Sequence, residues 1–347
     1  MALTLSQVAT LGMNGNVAAA AVQTINGAGA TFPYPLYSKW FSEYRKVDPS
    51  LEINYQSIGS GGGVRQLLEK TIDFGASDAP MTAEQMAKTQ LPILHIPTVL
   101  GAVAITYHLP GFKGDLRLSS EVLAELFLGK ITKWNDPKLK ALNPSLAASL
   151  PDTFVMVAHR SDGSGTSAIF TDYLSKVSPE WKSKVGAGTA LKWPVGLGGK
   201  GNEGVTGLIK QTPGGLGYVE LVYAETNHLP VARLKNRSGV FVAPSPHSVS
   251  AAAAAEAANM PKDFRVSITD AQGKDSYPIS AFTYLLVYQR MKATQAPQFR
   301  KFLDWALTDG QKLAQPLSYA PLPAELVKKV KEEVAKIQAV QAVPAGK

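Results

Sequence analysis

"TFVMVAHRSDGSGTSAIFTDYL", residues 153 to 174, reads as one complete structural unit. Residues 153 to 159 are mostly apolar and form an expected strand. "RSDGSG" (160–165) is a turn, and Ile169, Phe170, Tyr173, Leu174 and Val177 then recur on one face of a helix. The unit repeats along the chain. "TINGAGATF" (24–32) leads into a helix with Leu36, Trp40, Tyr44 and Val47 on one face, where Thr31 stands as a cap. "LEINYQSIG" (51–59) alternates as a strand and enters "SGGGVRQLLEK", with Val64, Leu67, Leu68 and Thr71 at helical spacing. "IDFGASD" is a short buried strand ending at Asp78. The run "ILHIPTVLGAVAITYH" (93–108) reads as extended chain buried on both faces, and "YPISAFTYLLVYQ" (277–289) as another central strand. "SVSAAAAAEAANM" (248–260) has the composition of an alanine-rich surface helix. Strands alternating with helices predict an α/β fold with mostly parallel sheets.

The chain has 347 residues, a length that suggests about two domains. Hydrophobic content of 45% and charged content of 18% describe a folded chain. The absence of cysteine excludes disulfides, thiolate metal sites and cysteine nucleophiles. Residues 1–21 carry no charge and end in alanines, resembling an export signal that lacks its basic start. The net charge is +8, yet lysines and arginines are dispersed, and in "VKKVKEEVAK" they alternate with glutamates. That pattern reads as a solvated face rather than a nucleic-acid surface, and the basicity amounts at most to a mild attraction for anions that identifies no partner.

Three helices start after small, hydroxyl-bearing or glycine-rich turns, at residues 30–32, 60–63 and 163–166. Each start exposes free N–H groups and the positive end of a helix dipole. One such terminus means little, but three at the carboxyl ends of strands can converge on one anion. Arg160 supplies a planar fork, and Ser60, Ser164 and Thr166 supply hydroxyls. Asp78 would repel an anion unless the anion carries a proton. Inorganic phosphate does near neutral pH; sulfate does not. A buried carboxylate is then a filter that admits the first and rejects the second. Taken singly, these residues also read as plain caps, a local Arg160–Asp162 ion pair and a turn at Asp78.

The ordered set "GAGATFPYPLYSKW", "GSGGGV", "DFGASDAP", "HRSDGSGTS", "KWPVGLGGKGNEGV" and "GGLGYVE" resembles the periplasmic phosphate-binding protein of the bacterial high-affinity phosphate transporter. The resemblance covers residues 25 to about 330. It implies a two-lobed type II periplasmic binding-protein fold closing like a flytrap. Lobe I would comprise residues 22–97 plus 276–347 and lobe II residues 98–275, with hinges near 97–105 and 270–280. It implies phosphate ligands at Thr31, Phe32, Ser60, Asp78, Arg160, Ser164, Gly165 and Thr166, with Asp162 steadying the arginine. It further implies a monomeric, exported, soluble protein that makes and breaks no bond and hands inorganic phosphate to the membrane permease subunits of an ABC transporter. Two positions depart from the family pattern, Gly61 in place of a serine and His159.

Rival readings are a binder of another tetrahedral oxyanion and a phosphatase. Enzyme signatures are missing: there is no G-x-S-x-G and no Walker A lysine, and "HRSD" lacks the kinase catalytic-loop pattern. "GLGGKG" (196–201) spells a dinucleotide fingerprint, but no strong helix pattern follows it at once, so it reads as a connecting loop. The five histidines lack metal-ligand spacing, so no metal or cofactor is expected. Tyr34, Trp40, Phe170 and Trp193 read as packing residues of the core or cleft.

Overall fold

The computed structural model describes residues 22–89 and 91–341. The signal-like segment 1–21 lies outside the described residues. The eight strands of the main sheet are β1 (Gln23–Gly29), β2 (Leu51–Ser57), β3 (Phe74–Ser77), β4 (Ile93–His108), β5 (Met156–Arg160), β6 (Leu197–Gly199), β7 (Gly215–Glu220) and β8 (Ser280–Tyr288). Their order across the sheet is β2-β1-β3-β8-β4-β7-β5-β6. At the two flanks, β2-β1-β3 and β7-β5-β6, every pair is parallel. In the middle, β3–β8, β8–β4 and β4–β7 are antiparallel. The expectation of mostly parallel sheets therefore holds at the flanks, where short strand–helix–strand units force it. Burial on both faces hides strand direction, so the antiparallel centre leaves no mark in the apolar pattern.

β4 ties the halves together. Its first stretch, Ile93–Ala102, registers against β8, and its second, Val103–His108, registers against β7. Pro97 has no N–H to give to a ladder, and it sits at an irregularity: Tyr284 opposes Pro97 while Thr283 opposes Val99, leaving Thr98 as the extra residue. The Thr98 hydroxyl closes the bulge by donating to the Thr283 carbonyl at 3.1 Å, and it pairs with the Tyr37 hydroxyl at 2.7 Å.

Four helices start at strand carboxyl ends: α1 (Tyr34–Val47) after β1, α2 (Ser60–Leu68) after β2, α3 (Gly165–Val177) after β5 and α4 (Gly201–Gln211) after β6. α1 buries Leu36, Tyr37, Trp40 and Tyr44, but Val47, at its last position, is 62% exposed. α4 corrects the loop reading of "GLGGKG", because the helix begins at the motif's last glycine and buries Val205 and Ile209. Its glycines depress intrinsic helicity, which is why the pattern looked weak. Gly204 is needed for close approach to β6: a Cβ on it would lie 3.1 Å from the Gly199 carbonyl carbon, and a Cβ on Gly199 would lie 2.6 Å from the Gly204 carbonyl carbon. The alanine-rich helix Pro246–Ala255 is also more than a surface element, since Ser248, Val249, Ala252 and Ala253 are buried and it packs on β4 and β8. Among the described residues no helix is long and apolar enough to cross a membrane.

Candidate anion site

The eight residues expected as ligands stand at or just beyond the carboxyl ends of strands in the two parallel flanks. From the first flank come Thr31 and Phe32 after β1, Ser60 at the start of α2, and Asp78 directly after β3. From the second come Arg160, the last residue of β5, and Ser164, Gly165 and Thr166 at the start of α3. Thr31, Phe32, Ser60, Asp78, Arg160, Ser164, Gly165 and Thr166 are all buried. The two flanks touch. Gly61 donates its N–H to the Gly163 carbonyl at 2.9 Å, and a Cβ on Gly165 would lie 2.4 Å from both an Asp78 carboxylate oxygen and the Ser60 hydroxyl.

Arg160 is held rigidly. Its Nε and Nη2 donate to the two Asp162 oxygens at 2.7 and 2.6 Å, a bidentate pair in which the arginine side chain is almost wholly buried. Nη1 is left to reach into the cleft, where it lies 3.4 Å from the Thr166 hydroxyl. Asp162 also accepts the Gly201 N–H at 3.0 Å. Burial works to raise the Asp162 carboxyl, but Arg160 and the Gly201 N–H outweigh it and hold the carboxyl below the usual range. The arginine charge is thus largely spent on its own partner. What remains for an anion is mostly the uncharged N–H groups and hydroxyls of helix starts, which need no counter-ion in the protein.

Asp78 sits opposite. Thr283 donates to its Oδ1 at 2.8 Å, Ser60 Oγ is 3.4 Å from its Oδ2, and its own N–H donates to Ser60 Oγ at 3.3 Å. Burial pushes its carboxyl up to about 7, against the opposing pull of the Thr283 bond, the Arg160 charge and the Ser60 bond. This carboxyl is therefore poised between accepting and donating near neutral pH.

Some expectations need correcting. Thr31 does not cap α1; the cap position is Pro33, with no side-chain cap bond. Thr31 Oγ1 instead accepts from Asn202 Nδ2 at 2.7 Å. Of the residues expected to pack in the core or cleft, Tyr34 is 37% exposed and packs outside the core by stacking on Tyr55, whereas Trp40 and Phe170 are fully buried. His159 stacks on Trp193, their ring centroids 4.8 Å apart, which gives that unusual position a packing role. His95 is likewise a satisfied core histidine: it accepts the Met81 N–H, and burial lowers it to about 4.

Residues missed in the sequence include Thr283, Asn202, Tyr218 and Tyr223. Tyr218 donates or accepts at Ser167 Oγ (2.6 Å) and accepts the Arg160 N–H (3.1 Å); Tyr223 donates to the Thr31 carbonyl across the cleft at 2.5 Å. The asparagine of "GKGNEGV" at a helix start after a glycine-rich turn was the available signal. Among the described residues no group of three His, Cys, Asp or Glu side chains converges as a metal site.

Comparison with known proteins fits this geometry. A family model described as a PBP superfamily domain matches residues 14–310. The chain is 48% identical over 316 residues to the phosphate-binding protein PstS of Pasteurella multocida (strain Pm70), covering 90% of each chain. The chain belongs to the PstS family. Its likeness to PstS of Haemophilus influenzae is similar, 46% over 324 residues, covering 92% of this chain and 95% of that one. Among solved structures, a high affinity periplasmic phosphate-binding protein, PfluDING, superposes with a TM-score of 0.70 at 22% identity, covering 89% of this chain and 93% of that one. A substrate-binding protein of a putative phosphate ABC transporter from Clostridium perfringens gives a TM-score of 0.64 at 16% identity, covering 87% and 100%. At those identities the structures speak for the fold, and the fold of this PstS-family chain is the two-lobed type II binding-protein fold expected from its sequence.

Proposed function

We propose that this protein captures inorganic phosphate reversibly between lobe I (22–97 plus 276–347) and lobe II (98–275) and delivers it to the permease subunits of an ABC transporter. The observation that carries the reading is Asp78: a buried carboxyl, with a pKa near 7, set among donors that otherwise suit an anion. The names of the PstS relatives support it. Bare phosphate oxygens accept from the hydroxyls of Thr31, Ser60, Ser164 and Thr166, from the N–H groups of Phe32, Gly165 and Thr166, and from Arg160 Nη1. The phosphate O–H donates to ionised Asp78. Sulfate lacks that hydrogen and faces the carboxylate unpaired, the kind of mismatch that costs four to five powers of ten in roughly comparable sites.

The protein works as an exported monomer and makes no bond. The pivot runs through β4, whose ladder changes partner between Ala102 and Val103, inside the expected hinge 97–105. Calorimetry with phosphate and sulfate, together with a phosphomonoester turnover assay, tests the reading. Tight phosphate binding with weak sulfate binding and no turnover is expected. Equal affinity for the two ions would overturn the filter, and sustained ester hydrolysis would make the protein a phosphatase.

A further inference from the structure

Asn202 is the second residue of α4, fully buried, and it touches both sides of the cleft. Its Oδ1 accepts the Glu220 N–H at 2.9 Å. A backbone N–H only donates, so this bond fixes the amide's orientation and turns Nδ2 the other way. Nδ2 then donates to Thr31 Oγ1 at 2.7 Å and to Thr166 Oγ1 at 3.2 Å. Each threonine oxygen receives a second N–H bond: Thr31 from the Asn202 backbone at 3.2 Å, Thr166 from Arg160 Nη1 at 3.4 Å. A hydroxyl oxygen has two lone pairs and one hydrogen. With both lone pairs engaged, each threonine retains its own O–H and nothing else.

We infer that Asn202 is a positioning residue that commits the hydroxyls of Thr31 and Thr166 to donate, and so makes them selective for a ligand that accepts. The inference rests on the phosphate reading above. Without the amide, either hydroxyl can rotate its hydrogen toward a protein acceptor and present a lone pair to the anion, which repels it. Thr31 belongs to the first flank, while Asn202 and Thr166 belong to the second, so the arrangement is completed only when the flanks meet. Glu220 sets the chain of orientation, because its backbone N–H decides which end of the amide faces the threonines.

The test is a comparison of phosphate affinities by calorimetry. Asn202→Ala in the wild-type background is expected to weaken binding about 100-fold, the scale of losing bonds to a charged partner. In a Thr31→Val/Thr166→Val background the same change is expected to cost less than about threefold, since no hydroxyl is left to orient. Asn202→Asp supplies a nearly isosteric second variant. Its new carboxylate can only accept, so both hydroxyls turn toward it. Its affinity relative to wild type should be lowest near pH 8 and recover in part toward pH 5, where burial at this fully enclosed position raises the new carboxyl so that it takes up a proton and its single O–H donates to one of the two threonines. Arg160, Asp162, Glu203, Glu220 and Tyr223 surround the position and are shared by both proteins, as is Asp78 in the cleft, so the ratio isolates the new group. Equal losses in the two backgrounds, or a flat ratio with pH, would overturn the inference and leave Asn202 as a structural bridge. A wild-type protein indifferent to phosphate would overturn the functional reading, and this inference with it.

Discussion

Gly165→Ala is expected to weaken phosphate binding by about two to three powers of ten while leaving the unliganded fold at least as stable. A methyl group on Gly165 would stand 2.4 Å from both an Asp78 oxygen and Ser60 Oγ, on the opposite side of the cleft. Neither neighbour can retreat cheaply. Asp78 is held by Thr283 and Ser60 Oγ accepts the Asp78 N–H, so the halves themselves must part. Overpacking of this kind costs about 1–3 kcal/mol, and lost contacts between the separated flanks and the anion add to it. The first turn of α3 itself is untroubled: Gly165 has no positive φ, and alanine is the better helix former. Titration with phosphate, combined with small-angle scattering, separates the two effects. Unchanged affinity would mean that the bound state does not bring α3 against Asp78.

The second large effect concerns selectivity. Asp78→Asn is expected to bring sulfate and phosphate to within about a hundredfold of each other well above pH 7, where the intact filter carries an ionised carboxylate that sulfate meets unpaired. The amide can turn either its oxygen to a phosphate O–H or its nitrogen to a bare sulfate oxygen. The wild-type protein should imitate this variant in acid. Its Asp78 carboxyl is pushed up to about 7 from the usual 3.8, so the neutral, donating form persists up to that pH in the unliganded protein. Sulfate needs that neutral form. Its affinity should stay level below about pH 7 and fall about tenfold per pH unit above it. In the asparagine variant that slope should vanish. A persistent slope in the variant, or selectivity unaltered by the substitution, would remove Asp78 from the filter.

Much of this site was legible because each part of it ends a strand. Ser60, Asp78, Arg160 and the Ser164–Thr166 turn all stand where an apolar run gives way to small residues, and that local signal survives in a bare sequence. Thr31 shows the limit. Its cap-like position before α1 is local, whereas its actual partner, Asn202, is distant in the chain. Thr283 was invisible for a different reason. It lies inside a wholly buried strand, where a threonine reads as one more packed residue, and its reach to Asp78 follows a bulge between two strands far apart in sequence. The antiparallel centre was hidden because a strand buried on both faces looks the same read in either direction.

The contact between Gly61 and Gly163 has a kinetic consequence. The Gly61 hydrogen is shielded from solvent by a carbonyl on the far side of the cleft, 2.9 Å away, and neither residue has a side chain to cover it once they part. Deuterium would therefore enter that amide each time the jaws separate, while amides along the Val103–Glu220 ladder stay dark through many such cycles. One peptide near residue 61 becomes a clock for the swing, readable in the protein with no label attached.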